Sequence, residues 1–542
     1  MVVTMRLQRA VASEMTTIKK TRKRNSARLA LFAGAAALAA LAPQSRAQSS
    51  SDALIDKLEQ KGILTADEAR ELRAESAESD TNLINRLPAS KWRLAESIKS
   101  IDLFGDVRFR YEYRGVENPT PNNPGVGNSS QTSGATGNTY YRERFRYSLR
   151  IGLRGDLVDD FNYGIRLETS ASPRSPWVTF ADDTGKSSSS PLSGTPSDKS
   201  NDSIYVGQIY LGWHPTDWFE MTVGRMPMPL YTTPMVWSSN LNPEGAFEKF
   251  KYSVGDFDLF VDFGQFDYQD PNPASAFPSS DTFLLAWQAG GIVKLGKDMS
   301  FKIAPVVYTY TGQGNTTLPG AAPNYDSLYY PFVGQGDVNG LNDAYNQSGI
   351  NDLLVLEIPV EFDFKVFNTV LGTLQARLFG DVAYNFDGDN RARAAYTAGG
   401  GNGLGGAFPG TSSAVTGQNK AYQVGFGIGS PGPVYGPAQG LVYGTTSKKN
   451  TWEARFYWQS IEQYALDVNL LDSDFFEGRA NLQGFYLAYA YSLTDAIIGT
   501  IRYGYASQIK GNLGTGGDNL DIPGINPIKD YNLFQLDLTW RF

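Results

Sequence analysis

From Ile101 to the last residue, apolar and polar positions alternate with period two, as in strands whose successive side chains point to opposite faces. Val107, Phe109, Tyr111 and Tyr113 alternate with Asp106, Arg108, Arg110 and Glu112. Phe145, Tyr147, Leu149, Ile151 and Leu153 alternate with Arg144, Arg146, Ser148, Arg150 and Gly152. Leu354 to Phe364 and Leu374 to Tyr384 repeat the pattern, and similar faces recur around Phe161, Tyr205, Met221, Phe250, Leu259, Leu285, Ile303, Val424, Trp452, Phe485 and Ile501. At the C-terminus Phe534, Leu536, Leu538, Trp540 and Phe542 share one face, and Gln535, Asp537, Thr539 and Arg541 the other. One such strand also fits the edge of a soluble sheet. The series amounts to about sixteen strands, an even number as single-chain membrane barrels require.

The links between these strands carry independent information. Short ones at 155–160, 215–218, 255, 296–298, 368–369 and 493–495 alternate with long ones rich in Gly, Asn, Ser and Pro. The long links are 115–138, 171–202, 227–243, 269–281, 311–350, 387–419, 462–479 and 509–530. One long link, 431–449, falls where a short one is due. This parity is that of a barrel with periplasmic turns at one end and extracellular loops at the other. A closed barrel is also the one sheet that satisfies all its backbone hydrogen bonds in hydrocarbon. The pattern therefore predicts an all-β transmembrane antiparallel barrel over residues 101–542, with apolar faces toward lipid and charged faces toward a water-filled lumen. No apolar run after Ala47 is long enough for a membrane-spanning helix.

Upstream the period changes. Lys19, Lys20, Arg22, Lys23, Arg24 and Arg28 precede an apolar stretch from Leu29 to Leu41, and Ser45-Arg46-Ala47 offers a small-x-small cleavage site. Residues 1–47 are thus expected to be a signal peptide that exports the chain. Residues 48–100 are expected to be a periplasmic helical segment and linker. Leu54, Ile55 and Leu58 recur at helical spacing, Gly62 breaks the run, and Thr65-Ala-Asp-Glu68 resembles a capping box opening a second helix through Leu72, making a short helix-turn-helix.

Charge and composition narrow the function. Without residues 1–47 the chain keeps 39 basic against 55 acidic residues, a net −16, which disfavours nucleic acid as a partner. Cysteine is absent and histidine occurs once, at His214, so disulfides, thiolate nucleophiles and cysteine-ligated metals are ruled out. A Ser-His-Asp hydrolase would have to use His214, in Gly212-Trp-His-Pro215 at a strand end, where a turn or interface residue is the plainer reading. Asp387-Gly-Asp389-Asn390 resembles part of a calcium loop but lacks the later Glu ligand, and reads as solvated loop. No catalytic residue, cofactor or metal is expected.

A basic stripe rises above this background. Arg142, Arg144, Arg146, Arg150 and Arg154 on the second strand share the predicted lumen face with Arg108, Arg110 and Arg114 on the first and Arg166 on the third. Such a wall would concentrate anions in a low-dielectric channel. Asp106, Glu112 and Glu168 lie on the same face and can pair with much of it, which favours a transverse field with mixed selectivity over strict anion specificity. The third long loop, Pro227 to Pro243, is uncharged and carries Tyr231 and Trp237. Folded inward, it would set an aromatic edge against the arginine wall; packing at a subunit contact or over the mouth is the alternative.

Three stretches together resemble the putative porin family of Gram-negative outer membranes: Leu54 to Leu72, Val223-Gly-Arg-Met-Pro227, and Asp472-Ser-Asp-Phe-Phe-Glu-Gly-Arg479 through Arg502-Tyr-Gly-Tyr505 to Leu538-Thr-Trp-Arg-Phe542. The resemblance implies a barrel pore for passive diffusion of small hydrophilic solutes and ions, embedded in outer-membrane lipid and lipopolysaccharide. It also implies that the barrel-insertion machinery reads the terminal strand, and general porins suggest a homotrimer. The uncharged third loop departs from general porins, where acidic residues face the basic wall, so their filter does not carry over. A substrate-specific channel for sugars or small anions, with Tyr231 and Trp237 binding, is the second reading. An outer-membrane hydrolase and a cell-wall tether built on residues 51–80 are readings from other classes.

Overall fold

The computed structural model describes residues 95–117, 139–170, 175–180, 204–269, 282–311, 352–398, 413–430, 448–511, 513–515 and 528–542. The signal peptide and the helix-turn-helix lie outside the described residues.

Sixteen antiparallel strands form one closed sheet. They are β1 (Asp102–Glu117), β2 (Thr139–Asp156), β3 (Phe161–Thr169), β4 (Ile204–Thr216), β5 (Phe219–Arg225), β6 (Glu244–Val254), β7 (Phe257–Gln269) and β8 (Thr282–Lys294). There follow β9 (Met299–Ile303 and Val306–Tyr310), β10 (Leu354–Thr369), β11 (Gly372–Asn385), β12 (Lys420–Gly429), β13 (Trp452–Ile461), β14 (Leu482–Ser492), β15 (Ile497–Gln508) and β16 (Asp530–Arg541). Both halves of β9 pair with the same two neighbours, β8 and β10, so they are one strand interrupted at Ala304-Pro305. Pro305 cannot donate to the ladder, which places such a residue at an irregularity. The Gln288 side chain covers the gap, its Nε2 donating to the Ala304 carbonyl at 2.9 Å. Neighbours along the chain pair throughout, and β1 pairs with β16 as well as β2, so no edge remains.

The closing register runs from Asp106 opposite Arg541 to Glu117 opposite Asp530. It brings the inner faces of the first and last strands together, Arg110 opposite Asp537 and Arg108 opposite Thr539. The predicted alternation holds along both. Phe109, Phe145, Leu536, Leu538 and Trp540 are exposed on the outer surface, whereas Arg108, Arg110, Arg144, Arg146 and Asp537 are buried inside. Aromatic rings gather at the turn end of the outer surface: Phe161 stacks on Trp213 at 6.1 Å and Trp218 on Phe250 at 6.2 Å, a girdle at the level of the membrane interface.

The strand-to-strand links fall as the sequence divides them, and 430–451 between β12 and β13 is again the long one on the turn side. One link differs. The stretch read as solvated loop around Asp387 continues as a helix, α1 (Gly388–Ala398), with Asp389 in its first turn. Asp389 Oδ1 accepts the Gly417 N–H at 2.7 Å and Asn390 Oδ1 accepts from Arg393 at 2.7 Å, so these side chains tie the loop to itself.

A charge placed on the outer face at mid-strand meets hydrocarbon, at about 2–4 kcal/mol near the bilayer midplane. Leu536→Arg is expected to lower barrel stability by that order in urea titrations of vesicle-embedded protein, and Gln535→Arg, one position along, by less. Equal losses would contradict the facing of β16.

Candidate functional site

The lumen is divided between two walls of opposite charge, each held by a loop folded inward. On the first wall, antiparallel pairing sets Arg110 opposite Arg146, Arg114 opposite Arg142 and Glu112 opposite Arg144. Like charges directly opposite destabilise a strand pair, so carboxylates are threaded between them. Glu112 accepts from Arg144 Nε at 2.7 Å and ion-pairs with Arg114 at 3.0 Å and Arg146 at 3.5 Å. Asp537 receives Arg110 Nε at 2.7 Å and Arg502 of β15 at 2.5 Å. Asp106 takes Arg108, and Glu168 takes Arg166 at 2.9 Å and Arg150 at 3.6 Å. The Trp177 ring, carried inward by a two-residue bridge of Val178–Thr179 to β2, lies 4.0 Å from the Arg110 guanidinium. That distance is within the range of a cation–π contact.

Of the residues singled out from sequence, Arg108, Arg110, Arg144, Arg146 and Arg150 are buried in this wall. Arg142 and Arg166 are half-buried on the same face. Arg154 keeps the facing, but β2 reaches the turn-side mouth there, and its side chain is 59% exposed, over the Phe104 ring. His214 also sits at the turn end, its Nδ1 3.4 Å from Asn162 Nδ2.

The seventh long loop, 462–481, supplies the acidic partners that sequence reasoning did not find. Asp474 Oδ1 accepts from Arg110 Nη1 at 2.8 Å, and Glu477 Oε1 accepts from Arg114 at 3.3 Å while Glu477 Oε2 accepts from Arg479 at 3.2 Å. Phe476, Glu477 and Gly478 have φ of 66°, 57° and 67°, a left-handed run rare for residues with a side chain. Two non-glycine residues there cost on the order of 1–3 kcal/mol each, and the turn aims Glu477 at its arginines. The signal was present: between Tyr464 and Phe476 the loop carries Leu466, Val468, Leu470, Leu471 and Phe475, too apolar for a solvated loop, and all are buried.

The third loop does fold inward, but its aromatic residue meets the opposite wall, contrary to the expectation that it faces the arginines. Tyr231 Oη donates to Glu361 at 3.1 Å, Thr232 Oγ1 donates to Glu357 at 2.6 Å, and Thr233 Oγ1 donates to Asp381, all on β10 and β11. The Gln288 side chain clamps the Tyr231 backbone from both sides, accepting its N–H and donating to its carbonyl, each at 2.8 Å. Lys302 Nζ lies 3.4 Å from the Tyr231 ring centroid. Burial and the neighbouring Glu361 charge raise the Tyr231 hydroxyl pKa, so it remains a donor. Trp237 is buried against Phe266, with ring centroids 6.4 Å apart. Only the far end of the loop reaches the arginine wall, where Asn240 Oδ1 accepts from Arg150 at 2.7 Å. On the second wall Asp262, Glu357, Glu361, Asp363 and Asp381 face Lys249, Lys302 and Arg377, an acidic excess that mirrors the basic excess across the lumen.

A family model described as putative porin matches residues 89–542. The chain is similar to the outer membrane channel DcaP of Acinetobacter baumannii, at 15% identity over 82% of this chain and 97% of that one, with a TM-score of 0.35. It is similar to OprB of Pseudomonas putida at 11% identity over 86% and 97%, TM-score 0.41, and to an anion-selective porin from Comamonas acidovorans at 11% over 82% and 99%, TM-score 0.35. No curated protein matches the chain.

Asp472 makes the seating of the seventh loop pH-dependent. Burial, then the charge of Asp474, pushes its carboxyl from the ordinary 3.8 up to about 6. A raised carboxyl binds a proton in the seated loop that the released loop gives up, so seating weakens as pH rises from about 4 through about 6. Protease cleavage within 462–481 is expected to be faster at pH 7.5 than at pH 5 after correction for protease activity, and Asp472→Asn is expected to flatten the difference. A cleavage rate that falls with pH would contradict the assignment.

Proposed function

The chain belongs to the putative porin family, and from that premise we propose a passive outer-membrane channel whose traffic is biased by a field across the lumen. It is a porin, a channel rather than an enzyme, and its place is the outer membrane. Solutes move down their gradients, without an energy source, sieved by width and oriented by charge. The observation that carries the field is the segregation of ion pairs, with guanidinium groups in excess over β1–β3 and β15 and carboxylates in excess over β7–β11. Opposed walls in a low-dielectric setting orient dipolar solutes and steer cations and anions along different sides. Mixed selectivity suits this arrangement better than strict anion specificity, because most arginines already have a carboxylate partner.

The exposed position of His214 lends nothing to a hydrolase. Tyr231 is engaged with Glu361 and Lys302 and Trp237 with Phe266, which favours a structural role in seating the third loop over a sugar-binding pair. We extend the reading to what precedes and surrounds the barrel: a signal peptide ending at Ala47, a periplasmic helical segment over 48–100, insertion guided by Phe534 to Phe542, and assembly as a homotrimer in lipid and lipopolysaccharide. Residues 51–80, on which a tether would depend, are compatible with either an anchoring or a spacer role.

The test is single-channel recording in a salt gradient. Wild type is expected to conduct with a modest ionic preference. Arg144→Ala/Arg146→Ala is expected to conduct at a similar level but with its reversal potential shifted toward cation preference, more strongly at low salt than high, because screening shortens the reach of the wall. Absence of any conductance would overturn the channel; an unchanged reversal potential would overturn the role of the arginines.

A further inference from the structure

The outer surface of the barrel is not uniform. On β10 to β16 the mid-strand positions that point outward are uncharged, among them Ile358 and Val360 on β10, Leu487 on β14, Ile501 on β15, and Leu536 and Leu538 on β16. The sector from β3 to β7 breaks this rule. Pairing turns Arg225 of β5, Glu244 and Glu248 of β6 and Gln265 of β7 outward, on the same side as the exposed Ile209, Val223 and Phe250. Arg225 donates to Glu244 and, through Nη1, to the Val206 carbonyl at 2.7 Å, while Gln265 Nε2 donates to Glu248 at 3.1 Å. Glu248 stands two residues from Phe250 of the aromatic girdle, about 6.6 Å along the strand, so it points into an apolar band about 25 Å tall. A carboxylate facing hydrocarbon there is costly, and Gln265 offers it a neutral donor rather than a counter-charge.

Two further features set this sector apart. β5 has only seven residues. At about 3.3 Å each and a tilt of about 45°, they rise about 16 Å, short of the apolar band. The aromatic girdle at the loop end also stops here. Elsewhere Tyr113 of β1 stacks on Tyr141 of β2 at 6.3 Å, and Tyr503 of β15 stands opposite Phe534 of β16. The outward positions at the loop end of β3 to β6 are Leu167, Val206, Arg225 and Glu244, with no ring among them. Rings mark where a barrel meets headgroups, so their loss together with a short, charged wall points to a surface that does not face lipid.

We propose that the outer face of β3–β7 is covered by a second copy of this chain and is the surface through which subunits associate. The inference rests on the homotrimer reading and gives it a place on the barrel. A wall tilted about 45° allots each strand about 6.8 Å of circumference, so five strands over the apolar band offer about 850 Å². That matches the roughly 800 Å² each partner contributes to a stable interface. Ile165, Ile209, Leu211 and Val223, exposed on β3–β5, make an aliphatic surface that a facing sheet can pack against closely. Two glutamates to one arginine leave the patch acidic, which disfavours the phosphates of lipopolysaccharide as its cover. Contacts around a three-fold axis are heterologous, so Glu248 need not meet its own copy.

The absence of cysteine makes the test direct. Val223→Cys places one thiol in the sector, and Val424→Cys places one on β12, seven strands further round; both positions are exposed. Each variant is labelled with benzophenone maleimide in outer-membrane fragments and irradiated. Covalent subunit dimers and trimers are expected from Val223→Cys, and none above the unlabelled background from Val424→Cys. Val223→Trp adds bulk that lipid accommodates and a packed contact does not. It is expected to lower the temperature at which the oligomer dissociates in mild detergent, whereas Val424→Trp leaves that temperature unchanged. An oligomer that cross-links through Val424, or equally through both sites, would overturn the interface and leave the trimer standing. So would an oligomer whose Val223 adducts are only to lipopolysaccharide or to another protein. A monomer that cross-links at neither site would overturn the interface and the trimer together, and conductance by that monomer would leave the channel intact.

Discussion

Every backbone N–H and C=O that crosses hydrocarbon must find its partner inside the sheet, because no water is there to take its place. In this chain the requirement comes down to one seam, the pairing of Asp106–Glu117 with Asp530–Arg541. If that seam slipped by one residue, the period of two would turn Phe534, Leu536 and Leu538 inward and Asp537 into lipid. The terminal strand and the first strand therefore share one register for two reasons, closure and the separation of lipid-facing from lumen-facing side chains. Arg110 and Asp537, far apart in sequence, become neighbours only through it.

Closure has a consequence for the interior. Side chains that point inward along sixteen strands converge, and charges there are neither fully solvated nor free to leave. A buried pair of charges roughly breaks even against apolar packing, while removing one partner is costly, about 3–5 kcal/mol. This explains why the two walls are built as networks rather than as isolated ions, with Glu112 and Asp537 each shared among several arginines. It also explains the inward loops. The seventh brings Asp474 and Glu477 to the arginines, and the third brings hydroxyl donors from Tyr231, Thr232 and Thr233 to the carboxylates. Each loop carries the chemistry that its wall lacks.

Much of this was legible in the chain. Period-two alternation and the parity of long and short links gave the barrel, its strand number and the facing of Arg108 to Arg150, since those features are local and repeat. Placement along the strand was less legible: Arg154 shares a face with Arg150 but lies at the mouth, because facing follows from parity while depth follows from register. Loops were hardest. Nothing local says that Tyr231 should meet Glu361, which lies 130 positions away, or that an acidic loop after β13 rather than the third loop should oppose the arginines. The helix at Gly388–Ala398 was hidden by the glycines around it, although Ala-rich residues follow.

The central claim is that opposite charge faces opposite charge across the lumen, and the absence of cysteine in the chain allows a direct reading. Single cysteines at the half-buried Asn242, beside Arg166, and at the half-buried Ser300, opposite Asp363, would be labelled with an anionic and a cationic thiosulfonate of similar size. Taking the ratio of the two rates at each site removes differences in access. The account predicts a higher anionic-to-cationic ratio at Asn242→Cys than at Ser300→Cys, with the gap narrowing as salt rises. Equal ratios at the two sites, at low salt, would contradict it.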